Sequence, residues 1–202
     1  MNAPSPAELI ALLQTRLDRQ PFRYDAARPG LNLNLIGLRA LPGTPDRFDD
    51  LICALYQQPD GAWIVRAFVA TTDPGGYHLR APGRVNGTAI MVHDRWYPAM
   101  WTIGKHRGEY FALTQNPSRP PPPVWRDADR DGIGRYGGVE HTDAGGINLH
   151  HAGAASTVVD RWSAGCQVVA ARADWDALWD LIVRSAAVYG STFSYALIGV
   201  AV

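Results

Sequence analysis

Residues 48–71, FDDLICALYQQPDGAWIVRAFVAT, contain two apolar runs separated by a turn signal. Pro59 and Gly61 are typical of a reversal of the chain, because they supply the backbone angles that turns require. The runs 48–56 and 63–71 carry β-branched and aromatic residues, so they predict the two strands of a β-hairpin. This hairpin indicates a β-rich fold class.

Further short strands are predicted on both sides of the hairpin, with glycine and proline between them. A helix is predicted near each end of the chain: Ser5 is a suitable N-cap for residues 6–19, and apolar residues recur at helical spacing in residues 174–188. The chain 1–202 is therefore predicted to be a single mainly β domain with flanking helices (α+β), whose core spans about residues 32–170. The remaining predicted strands are residues 32–38, 88–92, 110–113 and 193–202.

The balance of charge and the distribution of apolar residues argue against several classes of partner. Nineteen basic residues match nineteen acidic ones, which predicts no nucleic acid and no anionic membrane surface as partner, since both select a basic patch. No apolar run has the length of a membrane-spanning helix, so no membrane insertion is expected. The N-terminus lacks a basic segment followed by an apolar one, and we therefore expect synthesis in the cytoplasm without a signal peptide.

The two cysteines have surroundings that predict different roles, although a disulfide between them stays open. Cys53 lies within an apolar strand, where a free thiol behaves as a small buried hydrophobe. Cys166 follows the small residues Ala164 and Gly165, and His150 ends an apolar strand sixteen residues upstream. A catalytic thiol needs a base, and small neighbours let backbone amides face an oxyanion. We therefore expect a Cys166 nucleophile, His150 as its base, and oxyanion donors near Ala164 and Gly165.

The identity of the base stays open between His150 and His151. Neighbouring residues on a strand point to opposite faces, so only one of the two can face Cys166. We favour His150 because it directly follows the apolar run, and we assign His151 to orienting the pair or binding substrate. A thiolate–imidazolium pair would hold the pKa of Cys166 below its ordinary value of about 8.5.

Segments 145–153, GGINLHHAG, and 162–169, WSAGCQVV, resemble the catalytic motif of the L,D-transpeptidase (YkuD-like) domain family. That motif is a strand ending in His-Gly, followed after a spacer by Ser/Thr-His-Gly-Cys. Three features differ here: Ala164 replaces the second histidine, His151 replaces the first glycine, and the spacer of twelve residues is shorter than usual. The matching positions are His150, Ser163, Gly165 and Cys166.

The resemblance implies a YkuD-like β-sandwich or barrel and a cysteine peptidase or transpeptidase that needs no cofactor. Its substrates would be peptidoglycan stem peptides, attacked by Cys166 at the L,D bond between diaminopimelate and a D-amino acid. Because no export signal is visible, we expect hydrolysis rather than transpeptidation, by a lysin or secreted effector that acts on the cell wall after release or non-classical export. The expected substrate-binding residues are His151, Ser163, Trp162, Lys105 and His106.

Alternative interpretations concern function and metals. A non-catalytic cell-wall-binding module on an inactivated fold is the alternative function, because Ala164 replaces a family histidine and seven tryptophans are present. Residues 127–132, DADRDG, match the start of a calcium loop, but Gly138 stands where that loop requires glutamate, so a solvated Asp-rich turn is favoured. No metal is predicted, since the remaining histidines lack ligand spacing. Those histidines are His78, His93 and His141.

Overall fold

The computed structural model describes residues 1–17 and 30–202. Its helices are α1 (Pro6–Arg16), α2 (Gly76–Arg80) and α3 (Arg172–Tyr189). Its strands are β1 (Gly30–Leu41), β2 (Asp50–Gln57), β3 (Trp63–Thr71), β4 (Thr88–Met91), β5 (Arg95–His106), β6 (Tyr110–Gln115), β7 (Val124–Asp127), β8 (Leu149–His151), β9 (Gln167–Val169) and β10 (Thr192–Ala201).

Eight of the described strands form a closed barrel in the order β1-β10-β5-β6-β8-β9-β3-β2, and β4 pairs with β7 in a separate small sheet. The pairs β1–β10 and β8–β9 are parallel, whereas the other pairs in the barrel are antiparallel. Closure gives every barrel strand two neighbours, so the barrel has no open edge. The prediction of a mainly β fold with flanking helices is confirmed.

The predicted hairpin is confirmed as the antiparallel pair β2–β3, with a register that runs from Asp50 opposite Ala70 to Gln57 opposite Trp63. Strand β2 is buried on both faces, which explains its unbroken apolar run. Its residue Ile52 packs inside the barrel, whereas Cys53 packs outside it.

Two hydrophobic clusters account for this double burial. The inner cluster receives side chains from all eight barrel strands and from α3, and the outer cluster lies between α1 and the outer face of the sheet. Helix α1 begins as predicted at a Ser5 capping box and buries Leu9 and Leu13 in the outer cluster. The described helix ends at Arg16. The predicted end at residue 19 lies outside the described residues. The barrel contributions to the inner cluster include Leu35, Ile52, Phe68, Trp101, Leu113, Leu149, Val169 and Tyr195.

Strand β5 was not among the predicted strands, and its sequence RWYPAMWTIGKH contains a proline, which is unusual inside a strand. The structure accommodates Pro98 at an irregularity: Ala99 has a φ of 50°, and the register of the β10–β5 pair shifts between Phe193 and Tyr195. Proline is tolerated at such bulges, where no ladder hydrogen bond is lost. His106 is the last residue of this strand. Without β5, no sequence pattern indicated that His106 lies next to His150.

Within residues 1–17 and 30–202, no helix is both long and apolar enough to cross a membrane.

Candidate active site

The parallel strands β8 and β9 bring the predicted nucleophile and base together. His150 lies within β8 opposite Val168 of β9, and Cys166 directly precedes β9. The Gln167 amide donates to the Asn148 carbonyl at 2.8 Å, which holds the start of both strands in register. A sequence separation of sixteen residues is thereby reduced to direct proximity.

The site contains a third side chain, His106, from the end of β5. One donor atom from each of His106, His150 and Cys166 lies within 4.8 Å of the other two. The two imidazole rings stack with centroids 4.0 Å apart. Sequence analysis assigned His106 to substrate binding, but the structure places it against the base itself.

The hydrogen bonds of His150 leave one ring nitrogen free. Its Nδ1 lies 2.9 Å from the His151 carbonyl oxygen and 3.1 Å from the Tyr110 hydroxyl. Since a carbonyl only accepts, Nδ1 carries the proton and Nε2 holds a lone pair. Nε2 is buried and has no hydrogen-bond partner among the described residues. A buried polar atom left unpaired is costly and calls for a functional explanation.

The protonation of His106 follows from a relay through Asn148. The Gln115 amide donates to Asn148 Oδ1 at 3.0 Å, which identifies that atom as the amide oxygen. Asn148 Nδ2 therefore donates to His106 Nδ1 at 3.0 Å, so the ring proton of neutral His106 is on Nε2. Next to Cys166 the site thus combines one imidazole lone pair and one imidazole N–H.

Burial keeps both the thiol and the base neutral. Burial, followed by the adjacent His106, lowers the pKa of His150 to about 3. Burial also raises the pKa of Cys166, although the Asn148 backbone amide and the charge of Arg107 act in the opposite direction. These shifts favour the neutral thiol and imidazole over the expected thiolate–imidazolium pair, because burial disfavours the charged form of each group.

The turn before Cys166 is held by Ser163. This buried hydroxyl accepts from the Gly165 amide at 3.1 Å and donates to the Cys166 carbonyl at 2.8 Å. Ser163 therefore shapes the turn, and its hydroxyl is not exposed to a substrate. Gly165 has a φ of 127°, and a Cβ there would lie 2.8 Å from the Ala89 carbonyl oxygen, so glycine alone fits.

The Gly165 amide is occupied by Ser163 and cannot serve as the expected oxyanion donor. The amides of Cys166 and Ala164 have no hydrogen-bond partner among the residues that the structure describes. Ala164 is exposed, and Cys166 is partly buried. Free backbone amides beside the thiol are the kind of donor that an oxyanion requires, so these two are the candidate donors.

A cavity of about 250 Å³ lies next to the thiol. The Cys166 thiol donates to the Gly146 carbonyl at 3.6 Å, and both residues line this cavity. We call it the thiol cavity. Its other lining residues are His78, Gly83, Arg84, Gly87, Thr88, Ala89, Arg126, Ala144, Gly145, Ile147 and Ala164.

Three expected substrate-binding residues lie elsewhere. The His151 ring packs against other rings, with its centroid 4.5 Å from that of Tyr110 and 5.9 Å from that of Trp175. Lys105 is exposed, and its Nζ lies 5.5 Å from the centroid of Phe111. Trp162 is also exposed. None of these side chains lines the thiol cavity.

Sequence reasoning missed Tyr110, Asn148 and Arg126. Tyr110 was placed only as the start of a strand, yet its hydroxyl contacts the base, and burial raises its pKa to about 12. Asn148 stands two residues before His150, where strand alternation puts both side chains on one face. That spacing was the one available signal.

Both cysteines are free, so no disulfide joins them, and they differ in burial. Cys53 is fully buried in the outer cluster, and burial raises its pKa to about 12.

In the Asp-rich turn that begins at residue 127, Arg135 pairs with Asp129 at 2.9 Å and with Asp131 at 2.6 Å. Arg135 therefore supplies the counter-charge for two of the aspartates, which favours the interpretation as an Asp-rich turn.

In comparisons with protein-family models, curated proteins and solved structures, nothing matches this chain.

Proposed function

We propose that the chain is a cysteine-dependent acyl-transfer enzyme in which Cys166 is the nucleophile and His150 is the general base. The observation that carries this proposal is the buried, unpaired Nε2 of His150 in the same cluster as the Cys166 thiol. An imidazole lone pair that no described residue uses is suited to accept the proton of an attacking thiol.

The reaction begins from the neutral pair. As Cys166 Sγ attacks a substrate carbonyl, its proton passes to His150 Nε2, and the carbonyl oxygen becomes an oxyanion. The amides of Cys166 and Ala164 are placed to stabilise that oxyanion. His150 then returns the proton to the leaving amine, which departs and leaves a thioester on Cys166. Water resolves the thioester in a hydrolase, and a second amine does so in a transferase.

Positioning residues support the base in this scheme. The His151 carbonyl and the Tyr110 hydroxyl fix the His150 tautomer through Nδ1. This arrangement leaves the Nε2 lone pair unused within the cluster of His106, His150 and Cys166, without a charged third residue. It matches the orienting role that catalytic imidazoles require.

The proposed substrates are peptidoglycan stem peptides, with hydrolysis of the diaminopimelate–D-amino acid bond favoured over transpeptidation. Support comes from the resemblance of residues 145–153 and 162–169 to the YkuD-like motif and from the mainly β barrel that holds them. The choice of stem peptides as substrates is a separate claim from acyl transfer by Cys166. It can be wrong even if Cys166 is the nucleophile.

The decisive experiment is incubation of the purified protein with stem peptides, followed by mass spectrometry of both the peptides and the intact protein. We expect a cleaved peptide and an acyl adduct on Cys166. Cys166→Ala should lose both, and Cys53→Ala is the matched control that should keep them. Binding to cell-wall fragments without products or adducts would instead support the non-catalytic module.

A second candidate is a metal-dependent hydrolase, favoured by the three donor atoms of His106, His150 and Cys166 within 4.8 Å. Two imidazoles and one thiolate form a donor set that suits Zn²⁺, and a fourth position would remain for water. Metal analysis of the purified protein distinguishes the two candidates. The cysteine mechanism predicts full activity after chelation, whereas the metal mechanism predicts its loss and its recovery with Zn²⁺.

A further inference from the structure

The thiol cavity has a cationic wall. The charged side chains that line it are Arg84 and Arg126, and no acidic side chain of the described residues lines it. Cys166 lines the same cavity, so both arginines and the cysteine border one space. An arginine pair beside a nucleophile favours a ligand with negative charge.

The two arginines share a single counter-ion, Asp143. Arg126 Nη2 lies 2.5 Å from Asp143 Oδ1, and Arg84 Nη1 lies 3.2 Å from Asp143 Oδ2. One carboxylate between two guanidinium groups leaves one excess positive charge. Asp143 directly precedes Ala144, whose loop forms part of the cavity wall.

Arg126 also has unused hydrogen-bonding capacity. Its side chain is 94% buried, since only 6% remains exposed. Nη1 donates to the Gly87 carbonyl at 3.2 Å and Nη2 binds Asp143, but the buried Nε has no partner within the described part of the chain. An unpaired guanidinium N–H on a residue that lines a cavity can donate a charge-assisted hydrogen bond to a carboxylate oxygen.

We propose that Arg84 and Arg126 form a carboxylate subsite of the thiol cavity, with Asp143 as the resident counter-ion. The substrate class is a peptide acyl donor with a free carboxylate near the carbonyl that Cys166 attacks. The proposal rests on the proposed role of Cys166 as the reacting thiol. It places the anion on the Arg126 side of the site, whereas Lys105, the basic residue expected from sequence, lies against Phe111.

The test compares alkylation of Cys166 by iodoacetate, which carries a carboxylate, with alkylation by neutral iodoacetamide. Modification is followed by peptide mass spectrometry at fixed pH, and the ratio of the two rate constants is the readout. One unit charge at the range of a cavity wall changes this ratio by about three- to tenfold. We expect Arg84→Gln and Arg126→Gln to lower the ratio by that factor, and Asp143→Asn to raise it.

The matched control is Arg184→Gln, because Arg184 pairs with Asp180 on α3 at the same 3.2 Å separation as Arg84 and Asp143. Its ratio should equal that of the wild type. If Arg126→Gln does not fold, the half-exposed Arg84 and the Asp143 variant still decide the outcome. The wild-type ratio should also fall toward that of a small neutral thiol as salt is added.

Two results would overturn the proposal. The first leaves the proposed role of Cys166 in place, and the second removes that role as well. A reactive Cys166 whose ratio is the same in Arg84→Gln, Asp143→Asn and the control removes the subsite and leaves the nucleophile. A Cys166 that neither reagent modifies removes the proposed function and the subsite together.

Discussion

His106 and His150 stack face to face beside Cys166, with ring centroids 4.0 Å apart. The first ring comes from β5 and the second from β8, and β6 lies between these two strands in the barrel, so the pair depends on how the strands are ordered in the sheet. Two imidazoles at this distance disfavour each other's protonation. His106 therefore helps to keep His150 in the neutral form that a general base requires.

Replacing the two cysteines should separate chemistry from packing. Cys166→Ala should abolish acyl transfer and leave the folded structure intact, because the thiol is at a cavity rather than in the core. Cys53→Ala should remain active but lose about 1 kcal/mol of unfolding free energy, since Cys53 is fully buried. Activity assays and urea denaturation of both variants measure these effects. Residual turnover by Cys166→Ala would exclude it as the nucleophile.

The two adjacent histidines should differ sharply in their effect on rate. His150→Ala should lower kcat/KM by about 10²–10⁴-fold, the usual contribution of a positioned general base. His151→Ala should cost much less, because its side chain packs against Tyr110 and Trp175 and its carbonyl contact with His150 is a backbone one. Steady-state kinetics of both variants decide the matter, and a reversed order would make His151 the base.

His106→Gln should shift the pH profile of the reaction as well as its rate. The stacked His106 contributes to the low pKa of His150, so its removal should raise that pKa. The acidic limb of kcat/KM should therefore move to higher pH. Lys105→Gln, on the same strand and exposed, is the control and should leave the limb in place. A lower rate with an unmoved limb would reduce His106 to a packing role.

The thiol should behave as a neutral group at mildly acidic pH. Because burial raises the pKa of Cys166, alkylation by iodoacetamide should be slow at mildly acidic pH and should still be rising above the ordinary thiol pKa of about 8.5. Rates measured from about pH 5 to pH 10 test this. A plateau of high reactivity at low pH that disappears in His150→Ala would restore the ion pair.

Acid should destabilise the fold through His150. The folded protein holds the pKa of this residue at about 3, below its ordinary value of 6.5, so between these values only the unfolded chain binds the proton. The free energy of unfolding therefore falls as the pH drops through this window, by up to about 1.4 kcal/mol per pH unit.

Urea denaturation at about pH 7, 5 and 4 measures the slope of the unfolding free energy, and His150→Gln should remove the part that His150 contributes. Asp50 acts in the opposite direction, because burial raises its pKa to about 7 and the folded state then binds its proton more tightly. The difference between the wild type and His150→Gln cancels that contribution. Parallel curves for the two proteins would contradict the assignment to His150.

The sequence by itself determined the local elements of this protein. The hairpin of β2 and β3, the capping box of α1, the apolar stripe of α3 and the two segments that end at His150 and Cys166 all follow from nearest-neighbour patterns: turn residues, caps and the periods of apolar residues. The alternation of side chains on a strand also separated His150 from His151.

Only the tertiary structure decided what surrounds the thiol. The stacking of His106, the Asn148 relay and the Arg126 wall join residues from different strands, and which strands become neighbours depends on barrel closure and register rather than on local pattern. Strand β5 tolerates Pro98 because its pairing with β10 is irregular there. That irregularity depends on the partner strand, so local sequence does not reveal it. Burial sets the pKa shifts of His150 and Cys166. It is a property of the folded molecule, because residues from several elements must pack around a group to exclude water from it.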